Sequence, residues 1–328
     1  MFAAKRLLPV LLLLLSASAA RAACDRDPVA LPILSEDGAV IVPAEIDGVP
    51  VAAELNPHAF PSFVFDQAGL ALPRLGGTDS EALAGREDGT ETVLDTLRLG
   101  DAVFPGWHAV AVSEPPRPPV AGRRVAMTIG ADLLDDFVLL LDLPGRRAVL
   151  FRDRGPSCPD PATLVPGRPV AVPLREGTGH RIDLVDAVLD GLPVVMEVDP
   201  GSNDTIVPRA VARNLGLSGA VLDRDPQVLT RSAASRVGRR HSFGSLRLGA
   251  WVVPEPRIDV QRNLNYAALG LDLLGNRTLL FDFPGRRLLF DAAPPPPETG
   301  RASAFSTVQT RNADTAVLQS PNRSGEPR

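Results

Sequence analysis

The chain has 328 residues, with 34 lysines and arginines against 39 aspartates and glutamates, and a formal net charge of −5. This balance argues against a nucleic-acid partner, because a protein that neutralises phosphates needs a basic face. The four histidines and two cysteines are scattered without the spacing of metal ligands. We therefore expect no metal site and no cofactor.

The first 22 residues have the three parts of a secretory signal peptide. Lys5 and Arg6 form a basic start, residues 7–15 form an apolar run, and residues 20–22 read Ala-Arg-Ala. The run is shorter than the roughly 20 apolar residues that a membrane-spanning helix needs. The sequence predicts cleavage after residue 22, export to a bacterial periplasm, and no membrane span in the mature protein.

Two cysteines, Cys24 and Cys158, follow the cleavage site. In an oxidising compartment, an isolated pair favours one disulfide bond. The alternative is a lipid on Cys24, against which Arg21 stands where a lipoprotein signal prefers an apolar residue.

The remainder of the chain repeats itself. Residues 47–57 read DGVPVAAELNP, and residues 190–200 read DGLPVVMEVDP. Three further blocks recur in the same order: Leu-Arg-Leu-Gly at 97–100 and 246–249, a Gly-x-Asp-Leu-Leu run at 130–134 and 270–274, and an Asp-x-Pro-Gly-Arg-Arg run at 142–147 and 282–287. An ordered repeat of this kind predicts two copies of one structural unit.

These blocks divide the mature chain. We expect a first lobe at residues 23–154, a linker at 155–169, a second lobe at 170–292, and a disordered tail at 293–328. The linker is rich in proline and small residues. The tail shows no apolar periodicity.

Each copy is predicted to be mostly strand. Asp47-Gly48 and Asp190-Gly191 separate apolar runs, which is a strong hairpin signal because glycine tolerates the positive φ of the turn. The Pro-Gly-Arg-Arg turns close a second hairpin in each copy. Helical signal is confined to residues 208–215 and to short turns after Gly130 and Gly270. The fold class predicted is therefore all-β.

The second copy resembles a lobe of the retropepsin-type aspartic proteases. Its hairpin ends in Asp199-Pro200-Gly201-Ser202, where that family has Asp-Thr-Gly-Ala-Ser. Ile206-Val207, the Leu-Gly-Leu of residues 215–217 and Ala268-Leu269-Gly270 match later family elements. The resemblance implies two pseudo-symmetric aspartic-protease-like β-barrel lobes, with the first copy matching more faintly.

In that family, two aspartates share one proton, one acting as base on a water molecule and the other donating to the scissile carbonyl. Asp199 has the catalytic position in copy two, but Asn56 replaces its counterpart in copy one. An asparagine side chain cannot take up a proton at neutral pH. The family glycine is present as Gly201 and replaced by His58.

Pro57 and Pro200 stand where the family has a bracing hydroxyl residue, and they have neither a hydroxyl nor an N–H. The resemblance therefore implies an exported, catalytically impaired protein that binds an extended peptide or an envelope protein between its lobes, with Pro57, His58, Pro200, Gly201 and Ser202 beside the cleft. The alternative is an active aspartic endopeptidase that uses Asp199, with or without pairing of two chains.

Other polar residues of the motifs have simpler interpretations. Ser202 lacks the surroundings of a nucleophilic serine and is predicted to bond nearby backbone. We expect Asp132 and Asp272 to cap the short helices that follow Gly130 and Gly270. The aspartates that begin the Pro-Gly-Arg-Arg turns, Asp142 and Asp282, are predicted to be turn residues.

Overall fold

The computed structural model of the protein describes residues 28–36, 38–82, 85–113, 117–152, 158–177, 182–230, 237–262, 264–292 and 315–317. The predicted signal peptide and Cys24 lie outside these residues, so export and the disulfide stay predictions. No helix within the described ranges is long and apolar enough to cross a membrane. The described chain consists mainly of strands, which confirms the all-β prediction.

Lobe 1 is built from ten strands with one short helix. The strands are β1 (Val29–Pro32), β2 (Ile41–Ile46), β3 (Val49–Leu55), β4 (Phe63–Phe65), β5 (Gly76–Ala82), β6 (Gly85–Leu99), β7 (Ala102–Val112), β8 (Val125–Ile129), β9 (Val138–Asp142) and β10 (Arg147–Phe151), and the helix is α1 (Ala131–Leu134).

Lobe 2 continues the numbering after a 3-10 turn at Pro161–Leu164. Its strands are β11 (Val170–Pro173), β12 (Arg175–Glu176), β13 (Ile182–Leu189), β14 (Leu192–Val198), β15 (Ile206–Pro208), β16 (Gln227–Thr230), β17 (Val237–Ser242), β18 (Ser245–Leu248), β19 (Trp251–Pro254), β20 (Arg257–Gln261), β21 (Ala268–Leu269), β22 (Thr278–Asp282), β23 (Arg287–Phe290) and β24 (Thr315–Val317), and its helices are α2 (Arg209–Asn214), α3 (Gly219–Leu222) and α4 (Leu271–Leu274).

The two lobes have the same strand order. The sheet of lobe 1 runs β2-β3-β8-β4-β7-β6-β5, and the corresponding path in lobe 2 runs β13-β14-β21-β15-β20-β17-β16. The hairpins β2–β3 and β13–β14 turn at the Asp-Gly pairs, as the sequence predicts. This equivalence supports the two-copy interpretation of the repeat.

A six-stranded sheet, ordered β1-β10-β9-β22-β23-β11, joins the lobes. Its central pair, β9 and β22, comes from different lobes and pairs antiparallel, with Leu140 opposite Leu280. Successive side chains of these strands point to opposite faces, and both faces are buried in apolar clusters. The lobes therefore share one continuous core at this sheet and cannot part there without breaking it.

In each lobe, a glycine ends the strand that runs beside the hairpin. Strand β8 pairs parallel with β3 and is followed by Gly130, and β21 pairs parallel with β14 and is followed by Gly270. An added Cβ at Gly130 would lie 2.5 Å from the carbonyl oxygen of Ala59, and one at Gly270 would lie 2.6 Å from that of Asp204. Backbone thus approaches too closely here for any side chain.

The prediction that Asp132 and Asp272 cap helices is wrong. The helix N-caps are Gly130 and Gly270, and the aspartates lie inside the first turn. Asp132 accepts a hydrogen bond from the Ser62 hydroxyl at 2.7 Å, and Asp272 accepts one from Thr205 at 2.6 Å. The Ser62 hydroxyl also accepts a hydrogen bond from the N–H of Gly130, and the Thr205 hydroxyl accepts one from the N–H of Gly270. Each hydroxyl therefore connects its loop to the glycine that follows the neighbouring strand.

The Asp142 and Asp282 turns are as predicted. Each carboxylate accepts the N–H of the glycine three residues later, at 2.9 Å. Of the predicted disordered tail, the structure describes only β24, which pairs with β16. At these three residues the tail is a strand, and disorder of its remainder stays a prediction.

We predict that Cys24 and Cys158 form one disulfide. No free cysteine occurs in the described part of the chain, which includes Cys158. Closing a loop of this length stabilises a fold by about 4–5 kcal/mol in the chain-entropy model. Thiol titration of the unreduced, denatured protein should detect no free thiol, and two free thiols per chain would contradict the prediction.

We predict that Gly130→Ala and Gly270→Ala each destabilise the protein by about 2–3 kcal/mol, because the new methyl group must displace backbone. Gly76→Ala is the matched control, since a Cβ there meets nothing within 4 Å. The free energy of unfolding from denaturant titration provides the comparison. Equal stabilities of the three variants would show that the close approaches are absent.

Candidate functional site

Two equivalent loops meet the ends of β3 and β14. Asn56 follows β3 and donates its N–H to the Ile129 carbonyl at 3.0 Å, while Asp199 follows β14 and donates to Leu269 at 3.1 Å. Since Ile129 and Leu269 end β8 and β21, each loop is anchored on the strand beside its hairpin. The repeat in the sequence is therefore a repeat in backbone geometry.

A side-chain turn shapes each loop. The Asn56 Oδ1 accepts the N–H of His58 at 2.9 Å, and the Asp199 Oδ1 accepts the N–H of Gly201 at the same distance. Asparagine and aspartate both make this turn, and a proline between the bonded residues is compatible with it because its N–H is not required. Pro57 and Pro200 are thus compatible with the turn inside each loop.

The loops contact each other across the lobe boundary. The Asn56 side chain lies close enough to the Asp199 carboxyl group to lower its pKa, and both residues are buried. A Cβ placed on Gly201 would lie 2.2 Å from Asn56 Nδ2 and 2.6 Å from Glu54 Oε1. A side chain at residue 201 would therefore displace the Asn56 amide and the Glu54 carboxylate from their present positions.

Glu54 is a second carboxylate in this region. It lies two residues before Asn56 on β3 and therefore shares its face of the strand. Its Oε1 is 3.5 Å from Asn56 Nδ2, and its Oε2 accepts from the Thr128 hydroxyl at 3.3 Å and from Arg117. The side chain is almost completely buried, and the arginine supplies its counter-charge.

His58 extends from the lobe 1 loop into lobe 2. Its Nδ1 is 2.9 Å from Asp183 Oδ2, and its Nε2 is 3.4 Å from Glu197 Oε2. The ring of Tyr266 lies 6.1 Å from the imidazole centroid. The histidine that replaces the family glycine thus forms a polar connection between the lobes.

The surroundings of Asp199 favour its protonated form. Burial raises the pKa of this carboxyl group, and the charge of Glu54 raises it further. His58 and the hydrogen bonds from Gly201 and Asn56 lower it, but the net direction is upward. The Asp199 carboxyl group therefore keeps its proton to a higher pH than a solvated aspartate does.

The structure brings together Asn56, Pro57, His58, Asp199, Pro200 and Gly201. Ser202 is buried beside them, and its hydroxyl donates to the Asp204 carbonyl at 2.9 Å, as expected of a loop hydroxyl. Among the described residues, no group of three or more histidine, cysteine or acidic side chains could hold a metal ion.

Sequence reasoning missed Glu54, Glu197, Asp183 and Arg117. A signal for the two glutamates was present, since both stand two residues before the loop in otherwise apolar strands. Asp183 likewise takes an inward position of β13, whose other inward residues are Val185, Ala187 and Leu189. Nothing local marks Arg117, which is remote in sequence from its partner.

Comparison with known proteins agrees with this geometry. Residues 185–273, all in lobe 2, match a family described as aspartyl protease. The solved aspartic proteinase from Irpex lacteus matches with a TM-score of 0.52 and 12% identity, covering 83% of this chain and 99% of that one. At this identity the likeness shows the fold alone, and no curated protein matches the sequence. The chain therefore has the two-lobed aspartic proteinase fold, and its second lobe carries the sequence pattern of the aspartyl protease family.

Proposed function

We propose that this protein holds an extended peptide between its lobes and has little or no proteolytic activity. The observation that carries the proposal is the contact between Asn56 and Asp199. The position of the second acid is occupied by a buried amide, which lies against the loop that carries the remaining acid.

Replacement of one acid by an amide removes one of the two proton transfers that hydrolysis requires. Hydrolysis by an aspartate pair needs one carboxylate to take a proton from water and one carboxyl group to donate a proton to the carbonyl oxygen. The Asn56 amide can donate a hydrogen bond but cannot exchange a proton at neutral pH. Loss of one general acid or base typically reduces the rate by about 10²–10⁴-fold.

Backbone edges support the peptide-binding part of the proposal. In the described sheet of lobe 1, β5 is the terminal strand and pairs only with β6. An edge strand presents N–H and C=O groups to which an extended segment can add as a further strand. Recognition of this kind needs no catalytic residue. If the protein is exported, as its first 22 residues predict, peptides or proteins of the cell envelope are the available ligands.

A second candidate function is proteolysis with a relocated acid. The close approach of Glu54 to Gly201 favours it, since the charge of this glutamate acts on Asp199. Against it stands the ion pair with Arg117, which already engages the Glu54 carboxylate. Pairing of two chains through Asp199 is a variant of this candidate.

We predict binding of a fluorescein-labelled pool of unstructured synthetic peptides without their cleavage. Fluorescence polarisation should show saturable binding, and mass spectrometry after long incubation from acidic to neutral pH should show intact peptides. Asp199→Asn should leave binding within a few-fold of the parent.

Two outcomes would contradict the proposal. Absence of saturable binding would remove the peptide-binding function. Cleavage that disappears in both Asp199→Asn and Glu54→Gln would establish the second candidate, whereas cleavage lost only in Asp199→Asn, with a steep dependence on protein concentration, would indicate paired chains.

We also predict that Asn56→Asp destabilises the protein at neutral pH. The new carboxyl group would lie buried against Asp199 and Glu54, so the folded-state pKa of one acid must rise. A raised acid pKa means that the folded state binds more protons, and stability then falls as pH increases. We expect a loss of about 2–4 kcal/mol near pH 8 that shrinks towards pH 4.

Denaturant titration across this pH range provides the measurement, with Asn214→Asp on an exposed part of α2 as the matched control. The control should follow the parent closely. An Asn56→Asp curve that also follows the parent would exclude the contact between the two loops.

A further inference from the structure

The strand orders of the two lobes differ at one end. In the described part of lobe 1, the sheet ends at β5, which pairs only with β6. In lobe 2, the equivalent strand β16 pairs with β17 on one side and with β24 on the other. Strand β24 belongs to the tail and lies outside both copies of the repeat. Lobe 2 therefore carries an added strand at an edge that the repeat itself leaves open.

The pairing of β24 is antiparallel and involves three residues of each strand. The facing residues are Val228 with Val317, Leu229 with Ala316, and Thr230 with Thr315. A strand that adds to a free edge binds through backbone N–H and C=O groups. The contact therefore has the geometry of an extended peptide bound by strand addition.

Contacts within lobe 2 hold β16 in place. Val228 is fully buried, and Gly238 of β17 faces it so closely that an added Cβ would lie 3.0 Å from the valine Cγ2. Just before β16, the Pro226 carbonyl accepts the N–H of Arg240 at 3.0 Å. Two side-chain nitrogens of Arg240 in turn bind Asp259 of β20. The edge that receives β24 is thus fixed without the tail, which lowers the cost of binding a strand there.

The added strand is short and joined to the lobe by a long connection. Residues 293–314 separate it from the end of lobe 2, and a segment of this length spans roughly 70 Å when extended. Three residue pairs offer few hydrogen bonds, which must offset the entropy lost when the backbone is ordered. A tether supplies a local concentration on the order of millimolar, so that even a weak site is filled. A contact of this kind is reversible.

We propose that the outer edge of β16 is a binding site for an extended strand, and that residues 315–317 of the same chain are its resident, displaceable ligand. The tail thereby closes the lobe 2 edge to other chains, whereas the equivalent edge of lobe 1, at β5, stays terminal. The site itself does not depend on the proposed function. Its consequence for peptide binding rests on that function: foreign peptides add at β5 and not at β16.

Cysteine cross-linking tests where the tail lies. In the full chain, Leu229→Cys is combined with Ala316→Cys, because directly facing residues of antiparallel strands have the Cα separation that a disulfide bond requires. Mass spectrometry of the unreduced, digested protein identifies the linked segments with the native cysteines left in place. The matched control combines Leu229→Cys with Ala302→Cys in the same tail.

We expect the test pair to form a disulfide within one chain at least about tenfold faster than the control pair. Equal rates would show that the tail has no fixed partner and would overturn the proposal. A linkage formed mainly between two chains would overturn it as well, because the ligand of β16 would then be a second copy.

Displacement is tested with a fluorescein-labelled synthetic peptide of residues 311–321. The variant Ala316→Pro/Val317→Pro empties the edge in the full chain, because adjacent amides of a strand point to opposite sides and proline removes both. The peptide should bind this variant with a dissociation constant below about 1 mM, since weaker binding would not keep the tethered tail in place. It should bind the parent and the matched control Ala302→Pro/Ser303→Pro several-fold more weakly, because their own tail competes.

Equal binding to the parent and the emptied variant would place the peptide at another site and overturn the proposal. Absence of binding at millimolar peptide would do the same. The labelled peptide with prolines at the positions of Ala316 and Val317 is the control ligand and should not bind. Binding of the unstructured peptide pool to the parent, whose β16 edge is filled, tests the proposed function separately, so the two can fail independently.

Discussion

The Asn56 and Asp199 loops approach each other so closely that a Cβ at residue 201 would lie 2.2 Å from the Asn56 side chain. Many features of the site depend on this constraint. It brings the Asn56 amide to the Asp199 carboxyl group, places Glu54 close enough to influence its pKa, and removes both residues from water. In surroundings of low dielectric constant, charges and hydrogen bonds act strongly, so a single amide in place of an acid changes the chemistry of the entire site.

The two loops show how a scaffold can persist while its chemistry changes. In both copies, a side-chain oxygen accepts the N–H two residues later, and a backbone N–H binds the adjacent strand. These bonds require an Asn or Asp and tolerate a proline between the partners. The turn uses only the backbone N–H of the residue after the proline, which glycine and histidine both provide, so the same turn forms in the two copies.

Acidic side chains collect where the lobes meet. Glu54, Asp183, Glu197 and Asp199 are balanced by Arg117 and His58, each of which comes from lobe 1. Glu54 comes from lobe 1, and the other three acids come from lobe 2. The contacts of His58 with Asp183 and Glu197 therefore join the lobes in addition to the sheet that they share.

The sequence by itself determined the repeat, the all-β class, the Asp-Gly hairpins and the placement of Asn56 and Asp199 at equivalent positions. These features depend on local turn chemistry and alternation, which short segments encode. Only the tertiary structure decided that the two loops touch, that His58 reaches Asp183, and that Arg117 neutralises Glu54. Each of these contacts joins residues more than 60 positions apart. The packing of two lobes around their shared sheet sets such distances, and no local pattern contains them.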